Sequence, residues 1–226
     1  MRLFFYAVPL TFKFTIYMPI KAIIYDLDNT IFPVSAIGEK LFGPVFNLIA
    51  ESGLHDDQMD AIKYATMRTP FRIVAQRNNL SLELTNKAIE LQETLTYNEP
   101  IDTFEDYPEI KNITADRFLV TTGFKNMQMS KIKQLGIEND FNEVHVVNPV
   151  ISSKKEVFAD ILTRYDYAPH EVLVVGDDPE SEIKAAKELG IPTVLYDKAG
   201  ITNVAQADYK IAHFRELIAI IDTFST

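Results

Sequence analysis

Short apolar runs recur along the chain, and each stops at a polar cluster. Residues 22–25, AIIY, are continuously apolar and read as a buried β-strand. Arg117–Val120, Glu143–Val147, Val172–Val175 and Thr193–Leu195 read the same way, with a weaker strand at Tyr209–Ile211. Between these runs the apolar residues fall at helical spacing. Helices are predicted from about Lys125 to Leu135, Lys154 to Tyr165, Glu180 to Leu189 and Phe214 to Ile221. Gly136 and Gly190 stand where the first and third of these would close, as C-terminal glycines do. Strands alternating with helices imply an α/β fold, with a parallel sheet covered on both faces.

One stretch breaks this rhythm. Residues 35–100 contain no strong strand. Ile37–Ala50, Asp56–Met67, Ile73–Asn79 and Leu84–Thr96 have helical spacing, punctuated by Pro70 and by Asn78-Asn79. The pattern predicts an inserted all-helical segment over residues 33–100. The core would then comprise residues 19–32 and 101–226. Residues 1–18 are aromatic and apolar, with Lys13 breaking the run well short of the ~20 residues of a membrane span. They are expected to be an extension ahead of a true start at Met18.

Composition narrows the class. The chain has 226 residues, 47% hydrophobic and 24% charged, ordinary values for a globular protein with a sizeable core. A formal net charge of −10 argues against nucleic acid or an anionic membrane as partner. It does not exclude a phosphorylated substrate, because a bound metal reverses the field inside one pocket. There is no cysteine, which removes disulfides, thiolate catalysis and Cys-based zinc sites. That usage suits a reducing cytoplasm.

The chemistry concentrates where strands end or the next helix begins. Asp26, Asp28 and Thr30 follow the first strand. Thr121, Thr122 and Gly123 follow the second. Ser153, Lys154 and Lys155 open a helix, and Gly176, Asp177 and Asp178 follow a fourth run. In an open parallel sheet, ligands bind beyond the carboxyl ends of the strands, so these clusters should converge on one crevice. Asp26 and Asp28 project to the same side of an extended segment. Two carboxylates that close need a cation or a shared proton, so the pair suits a metal, acid/base work, or both. An EF-hand calcium loop is disfavoured, because Ile31 stands where such a loop needs glycine.

Together these motifs resemble the haloacid dehalogenase superfamily, in its phosphatase branch. YDLDNT resembles the family's first motif, LVTTG the second, a lysine opening a helix the third, and VVGDDPESE the fourth. The likeness spans roughly residues 20–196 and implies a Rossmann-like core with a helical cap between the first two motifs. It implies Mg²⁺-dependent hydrolysis of a small phosphorylated metabolite. By that likeness Asp26 is the nucleophile and Asp28 the acid/base. Thr121, Thr122, Gly123 and Lys154 bind the phosphoryl group. Asp26, Asp177 and the backbone carbonyl of Asp28 hold the metal.

Some positions depart from the pattern. The fourth motif's second acid is Glu182 where the family often has Asp, so Asp178 is expected to serve the metal's outer shell instead. The third motif offers both Lys154 and Lys155, and Lys154 is preferred. Gly176 is read as a residue that lets the chain turn. Arg68, Arg72, Arg77 and His55 in the cap read as surface residues, although an Arg above the site would suit a second anionic group. A phosphomutase shares the first chemical step. A 2-haloacid dehalogenase is disfavoured by Asp28, since carbon–halogen displacement needs no leaving-group proton. A catalytically silent module is disfavoured by the intact clusters. DLDNTIFP also resembles the first motif of pyrimidine 5′-nucleotidase-like members, which makes a nucleotide monophosphate one candidate substrate.

Overall fold

The computed structural model describes residues 19–148, 151–200 and 206–224. The expected extension over residues 1–18 lies outside the described residues. The sheet strands are β1 (Ala22–Tyr25), β2 (Asp116–Thr122), β3 (Glu143–Val147), β4 (Val172–Gly176), β5 (Thr193–Tyr196) and β6 (Tyr209–Ile211). Their order is β3-β2-β1-β4-β5-β6, and every neighbouring pair is parallel. The chain runs outward from β1 to one edge, then returns to β4 on the other side of β1. This reversal opens a crevice at the carboxyl ends of β1 and β4.

Side-chain alternation builds the two faces. Ala22, Ile24, Phe118, Val120, Val172 and Val174 form one buried cluster, covered by Phe158 and Ile161 of α7 (Lys154–Tyr165) and Ala186 of α8 (Lys184–Lys187). Ile23, Tyr25, Leu119, Leu173 and Val175 face the other side. There they meet Ile132 of α6 (Lys125–Leu135) and Leu217 of α9 (Glu216–Thr223). Both faces are covered, so the central strands are apolar throughout rather than alternating.

The segment after β1 is helical, as its spacing predicts. It holds α1 (Gly38–Leu41), α2 (Gly43–Ala50), α3 (Met59–Thr66), α4 (Phe71–Arg77) and α5 (Leu82–Thr94). Val45, Ile49, Ile62, Val74 and Ala88 pack into a core of their own. Ile37, Leu41, Phe42 and Phe46 instead join the sheet-side core, so the first turns anchor the insertion.

The predicted Ile37–Ala50 helix is broken at Phe42, and two helices later in the chain also differ from those predicted. The last begins at Glu216 rather than Phe214, because the preceding residues form tighter i→i+3 turns, with the Glu216 N–H on the His213 carbonyl and the Leu217 N–H on the Phe214 carbonyl, both at 3.0 Å. The Glu180–Leu189 segment starts as a wide π-turn, Pro179–Ile183, and only then becomes α8. Such turns gather at functional sites, and this one places Glu182.

Candidate active site

β1 and β4 pair in parallel up to Tyr25 opposite Val175, and the Asp26 N–H donates to the Val175 carbonyl at 2.9 Å. Asp26 and Asp177 therefore emerge side by side at the reversal of strand order. Oxygens of Asp26, Asp177 and Glu182 lie within 4.8 Å of one another.

Lys154 closes this cluster. Its Nζ donates to Asp26 Oδ1 at 2.5 Å and to Glu182 Oε2 at 2.7 Å. All three residues are buried. Ser153 caps the helix behind it, accepting the Glu156 N–H, and the Glu156 carboxylate accepts the Ser153 N–H. That capping box fixes where α7 starts. A cation at the first position of a helix opposes the helix dipole, and the two carboxylates offset that cost. Lys155 points elsewhere and pairs with exposed Glu188.

Glu182, not Asp178, completes the acidic set. The Glu182 carboxylate accepts the Asp178 N–H at 2.7 Å, while the Asp178 carboxylate caps the turn by accepting the Glu180 N–H at 2.9 Å. The extra length of Glu is absorbed by folding back over Gly176. A Cβ on Gly176 would stand 2.1–2.4 Å from Glu182 side-chain atoms. The Gly176 φ is not left-handed, so this glycine provides room for Glu182 and not a turn.

Burial pushes the Asp26 carboxyl up to about 7, against the pull of Lys154 and with a further push from Glu182. Burial also raises Asp177 well above the ordinary range, helped by Glu182 and Asp26. Burial alone would lower the Lys154 ammonium, but Asp26 and Glu182 together lift it above the usual lysine range. With all three carboxyls ionised, the one ammonium would leave two negative charges. A divalent cation balances them, and all-oxygen donors suit a hard ion such as Mg²⁺.

On the other side of the crevice, Thr121 is buried at the end of β2, and its Oγ1 accepts from Gln128 Nε2 at 2.6 Å. The hydroxyl proton then remains to be donated. Thr122 is half-buried. The Gly123 N–H, expected as a phosphoryl donor, is spent on the Val147 carbonyl at 2.9 Å, because the β2–β3 ladder continues one residue further. Gly123 has φ +153°, and a Cβ there would meet Gln128 at 3.0 Å, so its contribution is space.

Asp28 sits in the turn after β1, where Asn29 adopts a left-handed conformation (φ 58°) and its N–H donates to the Phe32 carbonyl at 2.9 Å. Its carboxylate is held by Lys131 and Gln128, two α6 residues that the motifs did not mark. Thr30 is fully buried, its hydroxyl without a partner among the described residues.

The profile of the haloacid dehalogenase-like hydrolases matches residues 23–196. The chain belongs to this family. This haloacid dehalogenase-like hydrolase is 22% identical to a glyceraldehyde 3-phosphate phosphatase of Methanopyrus kandleri over 227 residues, covering 89% of this chain and 97% of the relative. Among solved structures, a haloacid dehalogenase-like hydrolase of Streptococcus pneumoniae superposes with a TM-score of 0.68 at 21% identity, over 89% of this chain and 98% of its own. A HAD phosphatase of Thermococcus onnurineus gives 0.62 at 20% identity, over 91% and 100%. The two structural likenesses speak to fold: the parallel sheet and its surrounding helices are those of the hydrolase family.

Of the four residues of the helical segment read as surface residues, three lie as expected and one does not. Arg68, Arg72 and Arg77 are exposed, with the Arg68 guanidinium 5.0 Å over the Tyr64 ring. His55 is buried, not a surface residue, because it lies in a hollow with Leu48, Leu84 and Lys87. Among the described residues no helix is long and apolar enough to cross a membrane.

Proposed function

We propose that this hydrolase cleaves phosphate monoesters of a small metabolite, with Mg²⁺ as cofactor, through a phosphoryl group carried on Asp26. The observation that carries the proposal is the buried Asp26, Asp177 and Glu182 cluster served by one lysine. It holds a nucleophile beside an excess of negative charge that a divalent cation would offset, so that a phosphate dianion could approach Asp26. The phosphatase named among the relatives supports the same reading.

In the first step an Asp26 oxygen attacks phosphorus while the bond to the leaving oxygen breaks. Asp28 gives its proton to that oxygen, so an alcohol departs rather than an alkoxide. In the second step Asp28 takes a proton from water, the water oxygen attacks phosphorus, and the Asp26 carboxylate is released with inorganic phosphate. Thr121 donates to a phosphoryl oxygen, and Lys154 neutralises charge on the transferring group and orients Asp26. Asp26 and Asp177, the Asp28 backbone carbonyl and Glu182 would hold the Mg²⁺, which shields nucleophile and phosphate from each other.

We assign residues 33–100 as a cap over residues 19–32 and 101–226. A helical cap of this size would exclude bulk water and select a small substrate. A triose or other sugar phosphate is the substrate class we favour, acted on in the cytoplasm, which the lack of cysteine suits. A phosphate-release screen over a metabolite panel, with and without Mg²⁺, tests the proposal. Wild type should release phosphate only with Mg²⁺, and Asp26→Asn should release none. A protein inactive on every ester, or an Asp26→Asn variant of full activity, overturns it.

A further inference from the structure

We infer that Lys131, with Gln128, is a positioning residue that fixes the Asp28 carboxylate in its proton-transfer orientation. The inference rests on the phosphatase reading above and assigns a further residue to that site.

Lys131 is 1% exposed, in the middle of α6. A buried ammonium is costly unless it is paired, and an apolar residue of similar volume usually serves stability as well or better. Its partner is Asp28, reached at 3.0 Å on Oδ1 and 2.9 Å on Oδ2. Gln128, three residues earlier on the same helix face, donates to Asp28 Oδ2 at 3.1 Å and to Thr121 Oγ1 at 2.6 Å. The Lys131 ammonium also lies 5.9 Å from the Phe32 ring centre. Phe32 in turn bridges to the Asp28 backbone. Main chain and carboxylate of Asp28 are therefore both tied.

An ionised carboxylate offers about four acceptor sites. Lys131 and Gln128 occupy three, two of them on Oδ2. The site left on Oδ1 is where a proton can be carried to a leaving oxygen and later taken from water. With neither donor, the carboxylate would rotate, and misplacement of a reacting group by about 1 Å costs on the order of 10²-fold in rate.

A leaving-group comparison separates this role from a structural one. The value of kcat/KM is measured on phenyl phosphate, which needs leaving-group protonation, and on 4-nitrophenyl phosphate, which needs it far less. Wild type, Asp28→Asn, Lys131→Met and the double variant are compared. Asp28→Asn should lose on the order of 10²–10⁴-fold on the phenyl ester and much less on the nitrophenyl ester. Lys131→Met should show the same skew, about 10²-fold against phenyl phosphate. The double variant should be no worse than Asp28→Asn, because residues acting as a unit are not additive. Lys131→Gln, which keeps a donor without the charge, carries the same comparison where Lys131→Met does not fold. Equal losses on both esters for the Lys131 variants, beside a skewed Asp28→Asn, overturn the inference alone. Asp28→Asn without skew, or a wild type inert on both esters, overturns the acid/base reading and the inference with it.

Discussion

Lys154 Nζ stands 2.5 Å from Asp26 Oδ1, although 128 positions separate the two residues. The bond joins the helix after β3 to the end of β1, inside a site that water barely reaches. Lys154→Met leaves Asp26 and Glu182 buried without a counter-charge. Removing one partner of a buried pair costs about 3–5 kcal/mol, and losing a positioned cation costs about 10²–10³ in kcat. Urea unfolding and steady-state kinetics should show both. Lys155→Met breaks only an exposed pair and should leave both near wild type; equal effects from the two variants would contradict the assignment of Lys154.

Gly176 and Glu182 make a second coupled pair. A methyl group at Gly176 would occupy the space of the Glu182 side chain. Gly176→Ala should therefore behave like Glu182→Gln, raising the Mg²⁺ concentration for half-maximal activity by about 10–100-fold, as loss of a supporting ligand does. Asp178→Asn should barely change it, since that side chain caps the turn. Metal titration of the three variants is the check, and an Asp178 effect as large as that of Glu182 would reverse the assignment.

In the proposed site, Mg²⁺ would compete with protons for the acidic cluster. Asp26 and Asp177 have folded-state pKa values raised above the ordinary carboxylate value. Between that value of 3.8 and about 7 for Asp26, the folded protein holds more protons than the unfolded chain. The Asp26 contribution to stability is thus present at low pH and lost as pH rises through about 7, and the raised Asp177 carboxyl acts in the same direction. Mg²⁺ binding must release those protons. Its stabilisation should grow from pH 4 to pH 8, reaching about 2.7 kcal/mol at a hundred times its dissociation constant. Melting curves with Mg²⁺ or with EDTA test this, and an increment independent of pH would mean that the cation binds elsewhere.

The parts of this site that the sequence made legible are those the strands carry. A buried strand has little choice about where its last residue points. AIIY therefore announced Asp26, and VLVVG announced Asp177. Lys131 and Gln128 were not legible, because polar residues at i and i+3 of a helix look the same on a solvated face as in a core. Their burial is decided by the Asp28–Phe32 turn arriving from about a hundred positions away. The one available signal was helical spacing, since Lys131 lies four residues from both Met127 and Leu135. Glu182 was half legible: its spacing was visible, but the π-turn that tucks it over Gly176 depends on tertiary fit. His55 misled for the opposite reason, since burial in the helical segment is set by helix ends meeting rather than by residue type.

Far from the crevice, Glu143 at the start of β3 offers a pH test of the fold alone. Its carboxylate accepts two hydrogen bonds from Arg164, both at 2.6 Å, with Tyr165 Oη at 2.8 Å and a further contact to His145 Nε2 at 2.7 Å. Arg164 above all holds the Glu143 carboxyl down at about 2, against the opposing effect of burial and with help from Tyr165 and His145. A depressed folded-state pKa contributes stability that is present above the unfolded value of 4.5 and lost as pH falls towards about 2. Glu143→Gln keeps the shape and removes the charge, as protonation does. Chemical unfolding should find the variant less stable than wild type at pH 6–7, with the gap narrowing below pH 4.5 and closing near pH 2. The gap will be modest, because both side chains reach solvent and water screens the pair. A gap that stays constant down to pH 2 would show that Glu143 acts through packing rather than through its charge.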